Sequence, residues 1–269
     1  MTTVEPTGRV VGKWHGAWLR VEGYWTWYRR HWVSTLYSTG LQPVLFLAAM
    51  GLGLGDLVNK GSGGVDGVDY LVFVAPGLMA ASAMMQAAGE SLWPVLGGVK
   101  WLRTYHAAVS TPVSAGALFA GHVMWTCLRV LFSSTVFLIV AAILGGVPSA
   151  WGVLAIPAAV LGASVFAAAL NGYAVTQESD IPFAVIMRIG LFPLFLFSGT
   201  FFPVSRLPDW LEPVAWLSPL WHAVELCRAA TTGSAPSAGS VVGHLTFLVV
   251  CLAAGCWWGV RRFTRALTT

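Results

Sequence analysis

Charge is what this sequence has least of: 10% of its residues are Asp, Glu, Lys or Arg, against about 25% in a soluble domain. With 57% hydrophobic residues and a mean hydropathy of +0.72, that shortage excludes an ordinary water-soluble globule. It points to a polytopic membrane protein forming one domain over 1–269. Cysteine is sparse. Cys127, Cys227, Cys251 and Cys256 show no CxxC spacing and read as small buried hydrophobes. A cleavable signal is not expected, because the first 30 residues are polar, basic and tryptophan-rich, with no compact apolar core before a small-residue cleavage site. A GxxxxGK[ST] loop is missing too: Gly8 to Trp14 has the wrong spacing and lacks the Ser or Thr that would hold Mg²⁺. The chain alone is therefore not expected to bind or hydrolyse ATP. Neither a Ser-His-Asp grouping nor paired aspartate-rich motifs can be read, and His222 with Glu225 supplies only two ligands, too few for a metal. A non-catalytic chain without a cofactor of its own is the expectation.

What is there is a series of long apolar runs. The net charge of +4 would suggest nucleic acid in a soluble protein, but the basic residues stand at the ends of those runs, which is the positive-inside pattern. Six spans are expected, at 33–55, 70–89, 117–147, 151–175, 182–202 and 240–260. Arg9, Lys13, Arg20, Arg29 and Arg30 precede the first. Lys100 and Arg103 lie in the loop 91–113, Arg188 begins the fifth span, and Arg261, Arg262 and Arg265 follow the sixth. Only Lys60, Arg206 and Arg228 fall on the other side. Both termini are thus expected in the cytoplasm, and 12 Arg against 3 Lys with abundant Ala, Gly and Val hint at a bacterial genome and so at a bacterial plasma membrane.

Residues 1–32 form the tail and the first helix. Trp14, Trp18, Val21, Trp25, Tyr28 and Trp32 fall within about 80° of one another on a helical wheel. Lys13, Arg20 and Arg30 lie on the far side, and Trp27 breaks the pattern. Such a helix should lie in the headgroup plane; a soluble core helix is the plainer reading. The third run, at 1.5 Å per residue about 46 Å long, exceeds the hydrocarbon core. Arg129 falls near its inner boundary and His122 outside it. Arg129 is either a functional intramembrane charge or a side chain snorkelling to headgroups. Glu178 and Asp180 in the next inner turn face Arg188 as an inner-mouth latch or as a plain headgroup contact.

The stretch 198–228 is too apolar for a water-exposed loop, and Pro203, Pro208, Pro213 and Pro219 cut it into short pieces. Ser218 followed by Pro219 reads as an N-cap with proline at the first helical position, opening a helix from Leu220 to Ala230. Pro208, Asp209 and Glu212 read as another first turn. The expectation is a broken re-entrant helical hairpin over 203–231 on the outer side. Phe201, Phe202, Trp210, Trp216, Trp221, His222, Glu225 and Arg228 would form an outer gate, with Glu225 and Arg228 as an i,i+3 pair.

Phe197 to Pro203, Leu207, Pro208, Trp210, Ser218 to Leu220, His222, Glu225, Leu226 and Arg228 resemble the last-third motif of ABC type-2 exporter permeases. Ser110 to Leu118 resembles the loop before their third span. The branch that this resembles moves nodulation lipo-oligosaccharides and daunorubicin-type antibiotics. The resemblance implies an all-α membrane domain acting as a second copy's partner, most simply in a homodimer, with two ABC ATP-binding subunits carrying ATP and Mg²⁺. It further implies that the coupling element is a short helix after Gly97 and Gly98, with Val99, Lys100, Trp101, Arg103, Thr104, Tyr105, His106 and Ser110 docking the ATPase. A surface-lying loop helix without a partner is the alternative. Export of an amphipathic cargo follows from the same resemblance, supported by the aromatic residues near the outer side. A stand-alone secondary transporter or channel driven by an ion gradient is the competing function, but the acids and histidines such proteins use lie here near the boundaries.

Overall fold

The computed structural model describes residues 12–36, 42–234 and 236–268. Among them every regular element is a helix. In chain order these are α1 (Lys13–Leu36), α2 (Gln42–Leu47), α3 (Gly55–Ser62), α4 (Tyr70–Leu96), α5 (Thr104–Val109), α6 (Ala115–Ile143), α7 (Ala155–Ala174), α8 (Ile181–Val185), α9 (Phe192–Phe197), α10 (Glu212–Trp216), α11 (Pro219–Thr232) and α12 (Ala238–Thr268).

Among the described residues, four helical stretches are long and apolar enough to cross a membrane: Tyr70–Trp101, Ala115–Ile143, Ala150–Ala174 and Ala238–Thr268. They correspond to the second, third, fourth and sixth expected spans. The fifth is apolar but interrupted. Pro182 and Pro193 sit in the first turns of α8 and α9, and a π-helical stretch, Ile186–Leu191, joins the two. Prolines tolerated in a first turn still interrupt the ladder that precedes them. The first expected span, 33–55, falls partly on residues outside those described. Its described remainder passes from α2 through a π-helical stretch, Ala48–Leu54, into α3.

α4 is the centre of the bundle, with most of its side chains buried against α6, α7 and α11. Small residues allow this density, since lipid tails supply no hydrophobic drive and helices must gain by close approach. A Cβ at Gly172 of α7 would lie 2.8 Å from the Cα of Gly259 in α12, and one at Gly162 would lie 2.5 Å from the Cβ of Ala223 in α11. Inside the bundle, Asn171 of α7 donates to the Ala167 carbonyl of its own helix at 2.8 Å and to Ser91 Oγ of α4 at 3.3 Å.

α1 packs along α6. Its buried face is Ala17 and Val21, with Arg20, Tyr24 and Tyr28 half-buried beside them, while Trp14, Trp18, Trp25 and Trp27 are exposed. The aromatic stripe is therefore offset from the packed face. Arg20, expected on the far side, lies on the packed one, because two tyrosine rings receive its guanidinium there. The contact needs glycine at 121, where a Cβ would lie 2.5 Å from the Ala17 carbonyl oxygen. Gly121→Val is expected to detach α1 at a cost of about 1–3 kcal/mol, read as a lowered midpoint in thermal unfolding of the detergent-solubilised chain.

Candidate functional site

The loop after α4 is not one helix. α4 runs on into a π-helical stretch, Gly97–Trp101, and the chain then breaks at Leu102 and Arg103 before α5 begins. Arg103 adopts a left-handed φ of 51°, a conformation uncommon for a side chain other than glycine. The break everts the tip: Trp101 is 63% and Leu102 75% exposed, and Arg103, Thr104, His106 and Ser110 are exposed with them. Val99 is buried. Lys100 is half-buried and paired with Glu178 at 2.6 Å. Ser110 Oγ donates to the His106 carbonyl at 3.0 Å.

Among the expected docking residues Tyr105, like Val99, turns inward, and it is fully buried. Its ring fits because residue 98 is glycine, where a Cβ would lie 2.3 Å from the ring. The Tyr105 hydroxyl lies 2.6 Å from His122 Nδ1, and the Tyr24 hydroxyl lies 2.8 Å from the same atom. His122 Nε2 is 2.8 Å from the Glu90 carbonyl oxygen, which only accepts, so the proton belongs on Nε2 and Nδ1 is the acceptor. One phenol donates to it, and the other is within 3.3 Å of its neighbour's oxygen. Arg20 donates to Tyr24 at 2.6 Å and lies over both rings, 4.2 Å from the Tyr24 centroid and 4.5 Å from that of Tyr105. Burial pushes the Tyr24 phenol well above its ordinary value, so it stays a neutral donor. Phe263 of α12 closes the cluster edge-on to Tyr105, with ring centroids 5.8 Å apart.

The exposed tip is thus tied through one side chain to α1, α4, α6 and α12. Tyr105→Phe is expected to cost about 1 kcal/mol, since Tyr24 still reaches Nδ1. Tyr105→Ala also empties a buried ring site and should cost about 3–5 kcal/mol. Thermal unfolding of the two variants in one detergent separates these values.

Two charges settle differently from the sequence expectation. Glu178 turns to Lys100 while Arg188 is exposed; Asp180 sits at the start of α8, also exposed. Arg129 meets Glu90 of α4 at 3.0 Å and lies 4.7 Å from the Tyr28 ring centroid, so a partner rather than a headgroup receives it. Tyr24, Glu90 and Phe263 were not singled out by sequence reasoning, and His122 was placed only by its depth along the third run. The one local signal was Tyr24, a helical turn beyond Arg20.

At the opposite end, Ser218 caps α11, its Oγ accepting from the Leu220 amide at 3.2 Å, and α11 extends slightly beyond the expected helix. α10 starts only at Glu212, later than Pro208 suggested. Arg228 pairs with Glu225 at 2.7 Å, donates to the Gly199 carbonyl at 2.6 Å and lies 4.1 Å from the Phe73 ring centroid. His222 Nδ1 is 2.7 Å from His244 Nδ1, and its Nε2 is 3.0 Å from the Trp216 carbonyl oxygen. Trp221 stands edge-on to His222. Phe201 packs on Phe195, and Phe202 on Phe197. Trp210 and Trp216 are exposed. The structure gathers most of the expected outer residues around α11 but leaves Trp210 apart.

A bundle of membrane-length helices with an everted loop at its basic end has the form of a transport subunit. The ABC-2 type transporter family matches residues 19–231, and the chain belongs to that family. It is similar to Nodulation protein J of Sinorhizobium fredii, 30% identical over 88% of this chain and 87% of that protein. It is also similar to Nodulation protein J of Rhizobium leguminosarum bv. viciae, 32% identical over 82% of each chain. The inner membrane transport permease YadH of Escherichia coli is 26% identical over 92% of this chain and 97% of its own. The chain is therefore a membrane permease of the ABC-2 class, whose family implies an ABC ATP-binding partner.

Proposed function

We propose that this chain is the membrane-spanning subunit of an ATP-driven exporter in the bacterial plasma membrane. Two copies form the pathway, and two separate subunits bind ATP and Mg²⁺ and hydrolyse ATP. The observation that carries this reading is the everted tip at Trp101 and Leu102, in a chain of the ABC-2 family. Two exposed apolar side chains on a loop flanked by Lys100 and Arg103 form the kind of knob that fills a partner's pocket. Tyr105 behind the tip gives a push there a path into α1, α6 and α12.

In this reading the basic end is cytoplasmic and six segments cross, with 33–55 and the interrupted α8–α9 segment as the first and fifth. The Trp face of α1 lies in the headgroup plane, and α10 and α11 form a re-entrant hairpin on the outer side. The cargo is amphipathic, a drug, a glycolipid or a lipid-linked saccharide, drawn to Phe201, Phe202, Trp216 and Trp221. The resemblance of the 198–228 motif to permeases that move lipo-oligosaccharides supports a cargo with a saccharide part.

Co-expression with an ABC ATP-binding subunit encoded beside this chain tests the proposal. The expected result is co-purification and ATP hydrolysis in lipid vesicles that rises with cargo. Transport by the isolated chain on an ion gradient, with no ATP-binding subunit retained, would overturn it.

A further inference from the structure

The last two turns of α12 carry Arg262 and Arg265, which the coupling role does not use. They line a groove of about 340 Å³ together with Val99, Lys100 and His106 of the coupling loop and Val175, Thr176 and Glu178 of the turn after α7. Trp101, Leu102 and Arg103 are not among its lining residues. Its charge is mostly positive, and its single acid, Glu178, is already committed to Lys100.

Depth decides which anion fits. Trp257 is 59% exposed on α12 and carries the Arg261 guanidinium 3.9 Å above its ring. Arg262 lies 5.2 Å from the Trp258 ring centroid. Tryptophans at the end of a spanning helix mark the membrane–water interface. Arg262 is five residues past Trp257, about 7.5 Å at 1.5 Å per residue. That is comparable with the headgroup layer of roughly 5–8 Å beyond the hydrocarbon core. The groove mouth is thus at phosphate level, and basic pockets between helices at that level suit anionic headgroups.

We propose that this groove binds the phosphodiester headgroup of an anionic phospholipid, held by Lys100, Arg262 and Arg265. Glu178 stands in for the phosphate at Lys100 when no lipid is present. An acidic segment of the ATP-binding subunit is the competing occupant, but the aromatic belt beside the groove favours lipid. Of the exporter reading, the proposal takes only that this end meets the cytoplasmic leaflet.

The test uses the full chain alone in neutral detergent, so that it does not depend on any ATP-binding subunit. Binding is followed by the shift in thermal unfolding and by retained lipid in native mass spectrometry. The probes are phosphatidylglycerol, phosphatidylcholine with matched acyl chains, and inorganic phosphate. Phosphatidylglycerol is expected to be retained and to stabilise, and the other two are not. Each cation removed should weaken retention about fivefold, so Arg262→Gln with Arg265→Gln should weaken it about 25-fold. Glu178→Gln, which removes the competing carboxylate, should strengthen it about fivefold. This second variant gives a gain that a merely misfolded chain cannot mimic. Equal retention of the two lipids overturns the proposal, as does equal protection by inorganic phosphate. It also falls if the double variant keeps its lipid preference.

Discussion

Replacing Trp101 and Leu102 together by alanine is expected to weaken retention of the ATP-binding subunit by at least about 30-fold, with the chain's own unfolding midpoint almost unchanged. Both parts follow from exposure. The two side chains point out of the bundle and contribute little packing within the chain, so their loss should alter its stability by no more than about 0.5 kcal/mol. A buried aromatic anchor at an interface is worth about 2 kcal/mol or more, a factor of about 30 in affinity. Tyr105→Phe makes the matched control, because it lies behind the tip and should leave docking intact. Affinity for the purified ATP-binding subunit, measured beside thermal unfolding, gives both numbers. A double variant that binds the subunit like the parent would place the docking surface elsewhere on the basic end.

The second large effect is expected from Arg228→Ala. The guanidinium sits at the meeting of α11, α4 and the turn after α9, touching Glu225, the Gly199 carbonyl and the Phe73 ring at once. Its removal leaves the carbonyl and a half-buried carboxylate without the guanidinium. Breaking such a pair costs about 3–5 kcal/mol, and the partial exposure of Glu225 places the value near the lower end. Gly199, with a left-handed φ of 78°, would lose the contact that fixes its carbonyl. Arg228→Lys should recover less than half, since one ammonium cannot satisfy a carboxylate, a carbonyl and a ring face together. Thermal unfolding and protease cleavage at 198–203 report the two effects. An alanine variant as stable as the parent would remove Arg228 from any role in holding the segment.

Much of the architecture was legible because it is written locally. Apolar runs of spanning length marked four helices, and the Ser218–Pro219 pair marked the start of α11 by the same cap geometry that the structure contains. The Glu225–Arg228 pair was legible for the same reason, since i,i+3 neighbours meet on any helix. The shape of the loop after α4 was not legible. Periodicity gave one helix, whereas a π-helical stretch and a left-handed Arg103 divide it. The cluster of Tyr24, Tyr105 and His122 was not legible as a cluster. Tyr24 and His122 are separated by 98 residues, and Lys100 and Glu178 by 78. No helical period reports contacts across such separations.

The sequence by itself determined that this is a helical membrane protein, where its long apolar segments lie and, through the 198–228 motif, which family it resembles. Hydropathy and capping are properties of neighbouring residues, so they survive without a fold. Only the tertiary structure decided that Tyr105 turns inward while Trp101 and Leu102 turn out, that Arg20 joins the packed face of α1, and that Glu178 answers Lys100 instead of Arg188. Those outcomes depend on which helices lie side by side. Close approach at Gly98, Gly121 and Gly172 sets that arrangement, and buried polar groups take whichever partners it brings within reach.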